Sequence, residues 1–310
     1  MPALVKIGRW QIGSTVRNGT LFPYCRLSNW SVISLGQLEL TKAEIIEQAQ
    51  QLGAEFVGFA PVDRWIANQA APLLVHPRKI WPQAKTVIVL GVPLWLPLLE
   101  AAPTVLGREQ AIVTNELLTE AAFRLAVFLK RSGHEAINVS QANSVFSHIW
   151  AGYYAGLGTV GWNNSLLIPE YGPRVHLVSV FTALELDGDA MVQAELCTKC
   201  LYCQKICPVQ ALSGDNSNKQ AKIDQTACLS HEKLLQKAFC DPCGSCIKVC
   251  PVGEDRQLFQ SNNFAKYFEE QEILAHNPAA EEYKDWVHIR SYGSFALEPV
   301  LLNLPKQGKC

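Results

Sequence analysis

The sequence lacks a surplus of charge of either sign. Its 310 residues contain 27 lysines and arginines against 28 aspartates and glutamates, which leaves a formal net charge of −1. Proteins that bind nucleic acid through its phosphates usually carry a clear positive balance. We therefore expect no nucleic-acid partner.

The sequence also lacks an apolar run long enough to cross a membrane. The best candidate, Thr86–Leu99, is shorter than the ~20 residues of a spanning helix and contains two prolines. The first residues show neither a charged start before an apolar core nor a twin arginine. We therefore expect no membrane association and a cytoplasmic location.

Cysteine, by contrast, is abundant. The chain has 11 cysteines, most of them in two short runs, while Cys25, Cys228 and Cys310 stand apart. In a small secreted protein such a number would indicate disulfides. In a large chain without an evident export signal, CxxC spacing indicates metal binding instead.

The two cysteine runs share the spacing C-x2-C-x2-C-x3-C-P. The first run begins at Cys197 and the second at Cys240. In bacterial two-cluster ferredoxins, the first three cysteines of a run bind one cluster and the fourth binds the other. We therefore predict two [4Fe–4S] clusters, one held by Cys197, Cys200, Cys203 and Cys250, the other by Cys240, Cys243, Cys246 and Cys207.

Alternative ligands exist for the cysteine runs. Structural zinc would use two CxxC pairs rather than a doubled run of four, and disulfides fit neither the spacing nor the expected compartment. Cys228 could replace Cys240 as a ligand of the second cluster, although the regular spacing favours Cys240. We interpret Cys25 and Cys310 as ordinary residues.

Strands alternate with helices before the cysteine runs, which predicts an α/β layered domain of the α+β or α/β class. Thr41 and Glu44 form a capping-box pattern at the start of a helix. Apolar spacing predicts a second helix over Asn115–Gly133, with Asn115 as its N-cap. Strands are predicted over Lys85–Val92, which is continuously apolar, and over Arg174–Leu186.

We divide the chain into four parts on these patterns. They are an N-terminal extension (1–40), the layered domain (41–190), a ferredoxin-like two-cluster domain (191–258), and a C-terminal helix and tail (259–310).

Glycines are dense between the layered domain's helix and its last strand. Gly152, Gly156, Gly158 and Gly161 lie within ten residues of one another. This density permits close backbone approach to a ligand or to another element of the protein. The stretch also matches GxGxxG, but no clear strand precedes it, so the pattern alone is weak.

The stretch AGLGTVGWNNSLLI (155–168), followed by EYGPR (170–174), a strand and two ferredoxin motifs, resembles the epoxyqueuosine reductase family. Broader relatives of that family include the corrinoid-dependent reductive dehalogenases. The resemblance implies a nitroreductase-like corrinoid-binding domain and a ferredoxin module that passes electrons to the cobalt. It also implies a cobalamin pocket, for which we take Gly156, Gly158, Gly161 and His148 as binding candidates.

The chain departs from that family at its catalytic aspartate. A gapless alignment places Ala142 there, and no carboxylate lies between Glu135 and Glu170. The family also often carries a helical extension that helps bind tRNA, and little sequence follows the last cysteine run here. Both departures predict a substrate other than tRNA, so we expect a small molecule.

Three polar residues beside the glycines are candidates for catalysis. Tyr153 and Tyr154 could donate a proton, and Arg174 could hold an anionic group. Each could equally be structural.

Three functions fit the motifs. The first is a corrinoid-dependent reductase supplied with electrons by a ferredoxin or flavodoxin-type donor. The second is an electron-transfer protein without cobalamin, and the third is a flavin-dependent iron–sulfur reductase. The size of the layered domain favours the first.

Overall fold

The structure, a computed structural model, describes residues 5–17, 20–33, 40–67, 76–141, 145–277 and 280–283. Over the first two ranges the description covers the backbone. The strands are β1 (Val5–Arg17), β2 (Thr20–Ile33), β3 (Phe56–Pro61), β4 (Thr86–Pro93), β5 (Ala136–Val139), β6 (Thr159–Val160), β7 (Leu166–Leu167), β8 (Val175–Thr182), β9 (Leu212–Ser213) and β10 (Lys222–Ile223). The helices are α1 (Lys42–Gln51), α2 (Arg64–Ala67), α3 (Pro77–Ile80), α4 (Leu96–Glu100), α5 (Val105–Arg131), α6 (His148–Tyr154), α7 (Tyr202–Lys205), α8 (Gln225–Lys237), α9 (Ser245–Lys248), α10 (Asp255–Leu258) and α11 (Ala265–His276), followed by one 3-10 turn (Glu281–Tyr283).

The central sheet has four strands in the order β3-β4-β8-β5. Every neighbouring pair is antiparallel, which selects the α+β alternative of the predicted fold class. The continuous apolar sequence of β4 is typical of parallel sheets. Here it has another cause, because helices cover both faces of this antiparallel sheet.

Two hydrophobic clusters sandwich the sheet. On one face, Ile88 and Leu90 pack against α1 and α5. On the other face, Val87 and Val89 pack against α2 and α6. The alternation follows the two-residue period of a strand, so both sets of side chains in β4 are buried.

The two predicted helices both form, but one begins elsewhere. The capping box at Thr41 and Glu44 is present at α1. Helix α5 begins at Val105, not after Asn115, because the Thr104 hydroxyl accepts a hydrogen bond from the Gly107 N–H at 3.2 Å. Residues 105–114 lack a regular apolar period, so the sequence pattern missed them.

The N-terminal extension contains an antiparallel hairpin of β1 and β2, with Val5 opposite Ile33. No regular apolar period marks it in the sequence. Cys25 lies in β2, whereas Cys310 lies outside the described residues.

The cysteine-rich segment consists of short helices and tight turns. Lys199, Leu201 and Gly244 adopt the left-handed backbone conformation, which turns the chain just before α7 and α9. Helix α11 packs its Tyr267 against Ile206 and Val249 of this segment. None of the helices within the described ranges is long and apolar enough to span a bilayer.

Candidate functional site

Four cysteines from both runs line one small cavity. They are Cys197, Cys200, Cys203 and Cys250, and we call them the first thiol group. Three come from the turn that precedes and includes α7, and the fourth follows α9. The structure therefore brings together the four residues that the spacing assigned to one cluster, including the crossed ligand.

Burial and mutual proximity oppose ionisation of these thiols. Burial, together with the neighbouring Cys200 and Cys250, raises the pKa of Cys203 to about 12. Burial raises the pKa of Cys250 to about 11, although Arg174 acts in the opposite direction. A bound iron cluster offsets the free-energy cost of ionising these buried thiols, because each thiolate then binds a metal ion.

A second thiol group forms around Cys246. Burial and the nearby Cys243, Cys203, Cys207 and Cys228 all raise the pKa of this thiol. The pKa of Cys228 is likewise raised, first by burial and then by Cys207. We therefore define the second thiol group as Cys207, Cys228, Cys243 and Cys246.

Cys240, the ligand that the regular spacing favours, lies in the same apolar cluster as Cys243 of this group. Cys240 is fully buried, and Leu235 and Ala238 pack beside it. Cys228 instead lies in the first turns of α8, and its thiol lies close enough to Cys207 to raise its pKa. The structure thus favours the alternative ligand that regular spacing ranked second.

The layered domain holds both cysteine runs through consecutive residues. The Trp162 N–H donates to the Cys197 sulfur at 3.4 Å, and the Asn163 side chain donates to the Cys246 carbonyl at 3.3 Å. A further N–H, that of Ala211, donates to the Cys207 sulfur at 3.3 Å. Hydrogen bonds to sulfur are among the features that set iron–sulfur potentials.

A cleft of about 330 Å³ lies next to the first thiol group and shares Cys197 with it. Its apolar lining includes Trp150, Val160 and Met191. Its polar lining comprises Tyr153, Thr159, Gln193, Glu195, Lys199, Lys219 and Gln220. This size is in the range of pockets that bind small molecules and cofactors.

The cleft contains a buried donor without an acceptor. The side-chain nitrogen of Gln220 has no hydrogen-bond partner among the described residues, although it is shielded from solvent. An unpaired buried donor costs free energy of order 1–3 kcal/mol. A ligand with a carbonyl oxygen at this position would satisfy it.

The three glycines predicted to contact a cofactor pack against the protein itself on the side where a Cβ atom would stand. A Cβ atom at Gly158 would overlap the Leu167 carbonyl, and one at Gly156 would overlap the Ala190 carbonyl. At Gly161 it would lie 2.9 Å from a methyl group of Leu167. The glycines therefore act indirectly, by letting β6 approach β7 so that Thr159 and Val160 line the cleft.

Arg174 is not available to a substrate, contrary to its predicted role. It is 0% exposed, and its Nε donates to the Asp255 carboxylate at 2.7 Å. The same guanidinium donates to the carbonyls of Cys250 and Val252. Arg174 thus joins the layered domain to the end of the second cysteine run.

His148 and Tyr154 are core residues rather than site residues. The two ring nitrogens of His148 bond to the Ser179 hydroxyl at 2.9 Å and the Ser140 carbonyl at 3.0 Å, and burial lowers its pKa. The Tyr154 ring lies 4.5 Å from that of Trp65, and burial raises its pKa. Of the polar residues predicted for the site, only Tyr153 lines the cleft.

Sequence reasoning missed several residues that build the site. Trp162 and Asn163 stand in the glycine-rich stretch but carry no ligand chemistry of their own, so only their contacts assign a role. Gln220 and Met191 lie in irregular segments without a motif. Ala142, the position aligned with a catalytic aspartate, lies outside the described residues.

Comparison with known proteins supports the iron–sulfur assignment. Residues 196–254 match the family of 4Fe-4S dicluster domains. Over 219 residues the chain is 26% identical to a tetrachloroethene reductive dehalogenase of Desulfitobacterium hafniense, covering 57% of this chain and 39% of the relative. Over 217 residues it is 25% identical to an epoxyqueuosine reductase of Listeria monocytogenes, covering 61% and 56%.

A solved structure shows the same fold. It is a reductive dehalogenase whose structure suggests a mechanism for B12-dependent dehalogenation, and it aligns with a TM-score of 0.54 and 24% identity over 75% of this chain and 36% of that chain. The chain spans about two fifths of the tetrachloroethene reductive dehalogenase and about half of the epoxyqueuosine reductase. It is related to both groups, as its motifs predict, and it contains a ferredoxin-like domain.

Proposed function

We propose that this chain is an iron–sulfur reductase in which two [4Fe–4S] clusters deliver single electrons to a corrinoid held in the cleft, for the reduction of a small molecule. One observation carries the proposal. Cys197 belongs to the first thiol group and also lines the cleft, so a cluster and a bound cofactor would be in direct contact. The first thiol group would hold one cluster, and the second thiol group, with Cys228 as a ligand, would hold the other.

The lining of the cleft fits a large amphipathic cofactor. Trp150, Val160 and Met191 offer an apolar surface to a macrocycle, and their bulk would exclude water from it. The amide groups around a corrin ring carry carbonyl oxygens, which the unpaired nitrogen of Gln220 would bind.

A bound corrinoid would supply the electron-transfer chemistry at its cobalt. The residues of this chain would hold it, exclude water and supply protons. Tyr153 is the residue best placed to provide a proton from its Oη, because it is the tyrosine that lines the cleft. Lys199 and Lys219 add positive charge at the rim.

Electrons would enter at the second cluster. Cys228 of the second thiol group and Cys200 of the first are both exposed, so both groups reach the protein surface. We place the entry at the second cluster because the first adjoins the cleft. A small electron carrier of the ferredoxin or flavodoxin type could dock there and transfer one electron at a time. The first cluster, next to the cleft, would then pass electrons to the cofactor.

The test is cofactor binding by the anaerobically purified protein. We expect about eight iron atoms per chain and stoichiometric binding of cobalamin, followed by its visible spectrum. Val160→Trp fills the cleft and should abolish cobalamin binding without loss of iron, whereas Val113→Trp, on an exposed part of α5, should change neither. Intact protein with both clusters that binds no cobalamin would refute the proposal, and stoichiometric binding of a flavin would replace the corrinoid with that cofactor.

A further inference from the structure

Arg256 is a buried cation whose contacts are neutral groups. It is 1% exposed, and no carboxylate lies within ion-pair distance of it in the described part of the chain. Its guanidinium donates to the Cys250 carbonyl at 2.6 Å, the Ser261 carbonyl at 2.8 Å and the Tyr267 hydroxyl at 3.2 Å. It also donates to the carbonyl of Lys248.

The other charged groups in this region form pairs. Arg174 pairs with Asp255, and both are buried. The remaining pairs are Lys248 with Glu270, at 3.8 Å, and Lys266 with Glu100. Arg256 is therefore left as one uncompensated positive charge, although the Ser261 and Tyr267 hydroxyls connect it to the Glu100 carboxylate.

An unpaired buried charge is costly unless an opposite charge lies near it. Arg256 contacts one member of the first thiol group. It binds the carbonyl of Cys250 directly. Its guanidinium also lies 4.8 Å from the ring of Phe264, which belongs to the apolar cluster against which Cys203 packs. These apolar surroundings screen a charge only weakly.

We propose that Arg256 is a positioning residue that raises the reduction potential of the cluster held by the first thiol group above that of the second cluster. Reduction adds one electron to a cluster and forms or breaks no bond. The guanidinium stays protonated throughout, so its charge stabilises the reduced, more negative form. The inference rests on the proposed function, because it requires both clusters.

A higher reduction potential at the first cluster would give electron transfer a direction, from the second cluster to the first. An electron that enters at the second cluster would then transfer to the first cluster, which adjoins the cleft. The two thiol groups also differ in their carboxylate contacts. Cys243 of the second group donates its N–H to Glu232 at 3.2 Å, and an ionised carboxylate has the effect opposite to that of Arg256.

The experiment is a potentiometric titration of the anaerobic protein with dithionite, followed by electron paramagnetic resonance. Arg256→Gln should move the midpoint potential of the first cluster to more negative values and leave the second in place. Arg256→Lys, which keeps the charge, should restore most of the shift. Cys228→Ser, which removes the second cluster, identifies the signal of the first.

Glu100→Gln provides a test of opposite sign. It removes the carboxylate that Ser261 and Tyr267 connect to Arg256, so the potential of the first cluster should rise. Unchanged potentials in Arg256→Gln with full iron content, or equal shifts of both clusters, would overturn the inference. If Arg256→Gln loses iron, Glu100→Gln decides, and the absence of a rise overturns the inference.

Failure of the proposed function can be distinguished from failure of the inference about Arg256. It would appear as fewer than two clusters in the parent protein, or as no cobalamin binding, before any potential is compared.

Discussion

Arg174 and Asp255 form a buried ion pair that joins the layered domain to the cysteine-rich segment. The Arg174 Nε lies 2.7 Å from Asp255 Oδ2, and the side chains are 0% and 5% exposed. Arg174 directly precedes β8, and Asp255 begins α10 shortly after Cys250. This one contact therefore fixes the last cysteine of the second run relative to the central sheet.

Breaking this pair should destabilise the protein strongly. Arg174→Met leaves Asp255 buried without a partner, a change that typically costs about 3–5 kcal/mol. The control is Arg124→Met, which removes an exposed pair with Glu120 and should cost less than about 1 kcal/mol. Urea unfolding under anaerobic conditions, followed by circular dichroism, measures both. Equal costs for the two variants would contradict the structural role of the Arg174 pair.

Two cysteine variants separate the ligands of the second cluster. Cys228→Ser should lose that cluster, because Cys228 lies beside Cys207 and Cys246. Cys240→Ser should keep both clusters, because Cys240 is buried against Leu235 and Ala238 instead. Iron and sulfide contents of the anaerobic proteins distinguish them. The reverse result would restore the ligand set that the spacing favours.

Gly158→Ala should destabilise the fold rather than act on a ligand. Its new methyl group would overlap the Leu167 carbonyl, so β6 and β7 would have to separate. Gly107→Ala is the matched control, since its methyl group would meet only the Thr104 hydroxyl at 3.6 Å. In a helix this replacement is neutral or stabilising by up to about 1 kcal/mol. Urea midpoints compare the two variants, and equal midpoints would show that the β6–β7 approach tolerates a side chain.

His176 should make the protein less stable in mild acid. Burial lowers its pKa from 6.5 to about 4, and its Nδ1 lies 2.8 Å from the Thr114 hydroxyl. Above pH 6.5 the His176 ring is neutral in both the folded and the unfolded protein. As the pH falls from 6.5 towards about 4, the unfolded chain takes up a proton that the folded protein does not. The free energy of unfolding should therefore fall across this window, by up to about 3 kcal/mol.

His176→Asn should reduce this pH dependence. Part of the pH dependence should remain in the variant, because burial also lowers the pKa of His148. Urea midpoints measured from pH 5 to pH 8 test this, and an unchanged slope in His176→Asn would assign the effect to other groups.

Local patterns predicted much of the layered domain. Three features each depend only on residues close together in the sequence, so the sequence pattern shows them directly. They are the capping box at Thr41, the apolar run of β4 and the periodic part of α5. The start of α5 was missed because residues 105–114 have no apolar period, and its N-cap at Thr104 depends on one hydrogen bond. The direction of the sheet strands was open, because pairing joins residues far apart in the sequence.

The sequence by itself determined the iron–sulfur chemistry, because the donor atoms and their short spacing lie within two local runs. The choice between Cys228 and Cys240 depends on tertiary structure, because it depends on which sulfur lies near Cys207, and α8 brings Cys228 there. The tertiary structure also showed that Gly158 packs against Leu167. A glycine in the sequence indicates that another group can approach closely, but it does not indicate which group. No sequence pattern distinguishes Arg174 from Arg256. In the structure, Arg174 pairs with Asp255, whereas Arg256 is surrounded by neutral groups. The difference arises from the positions of these residues in the folded protein.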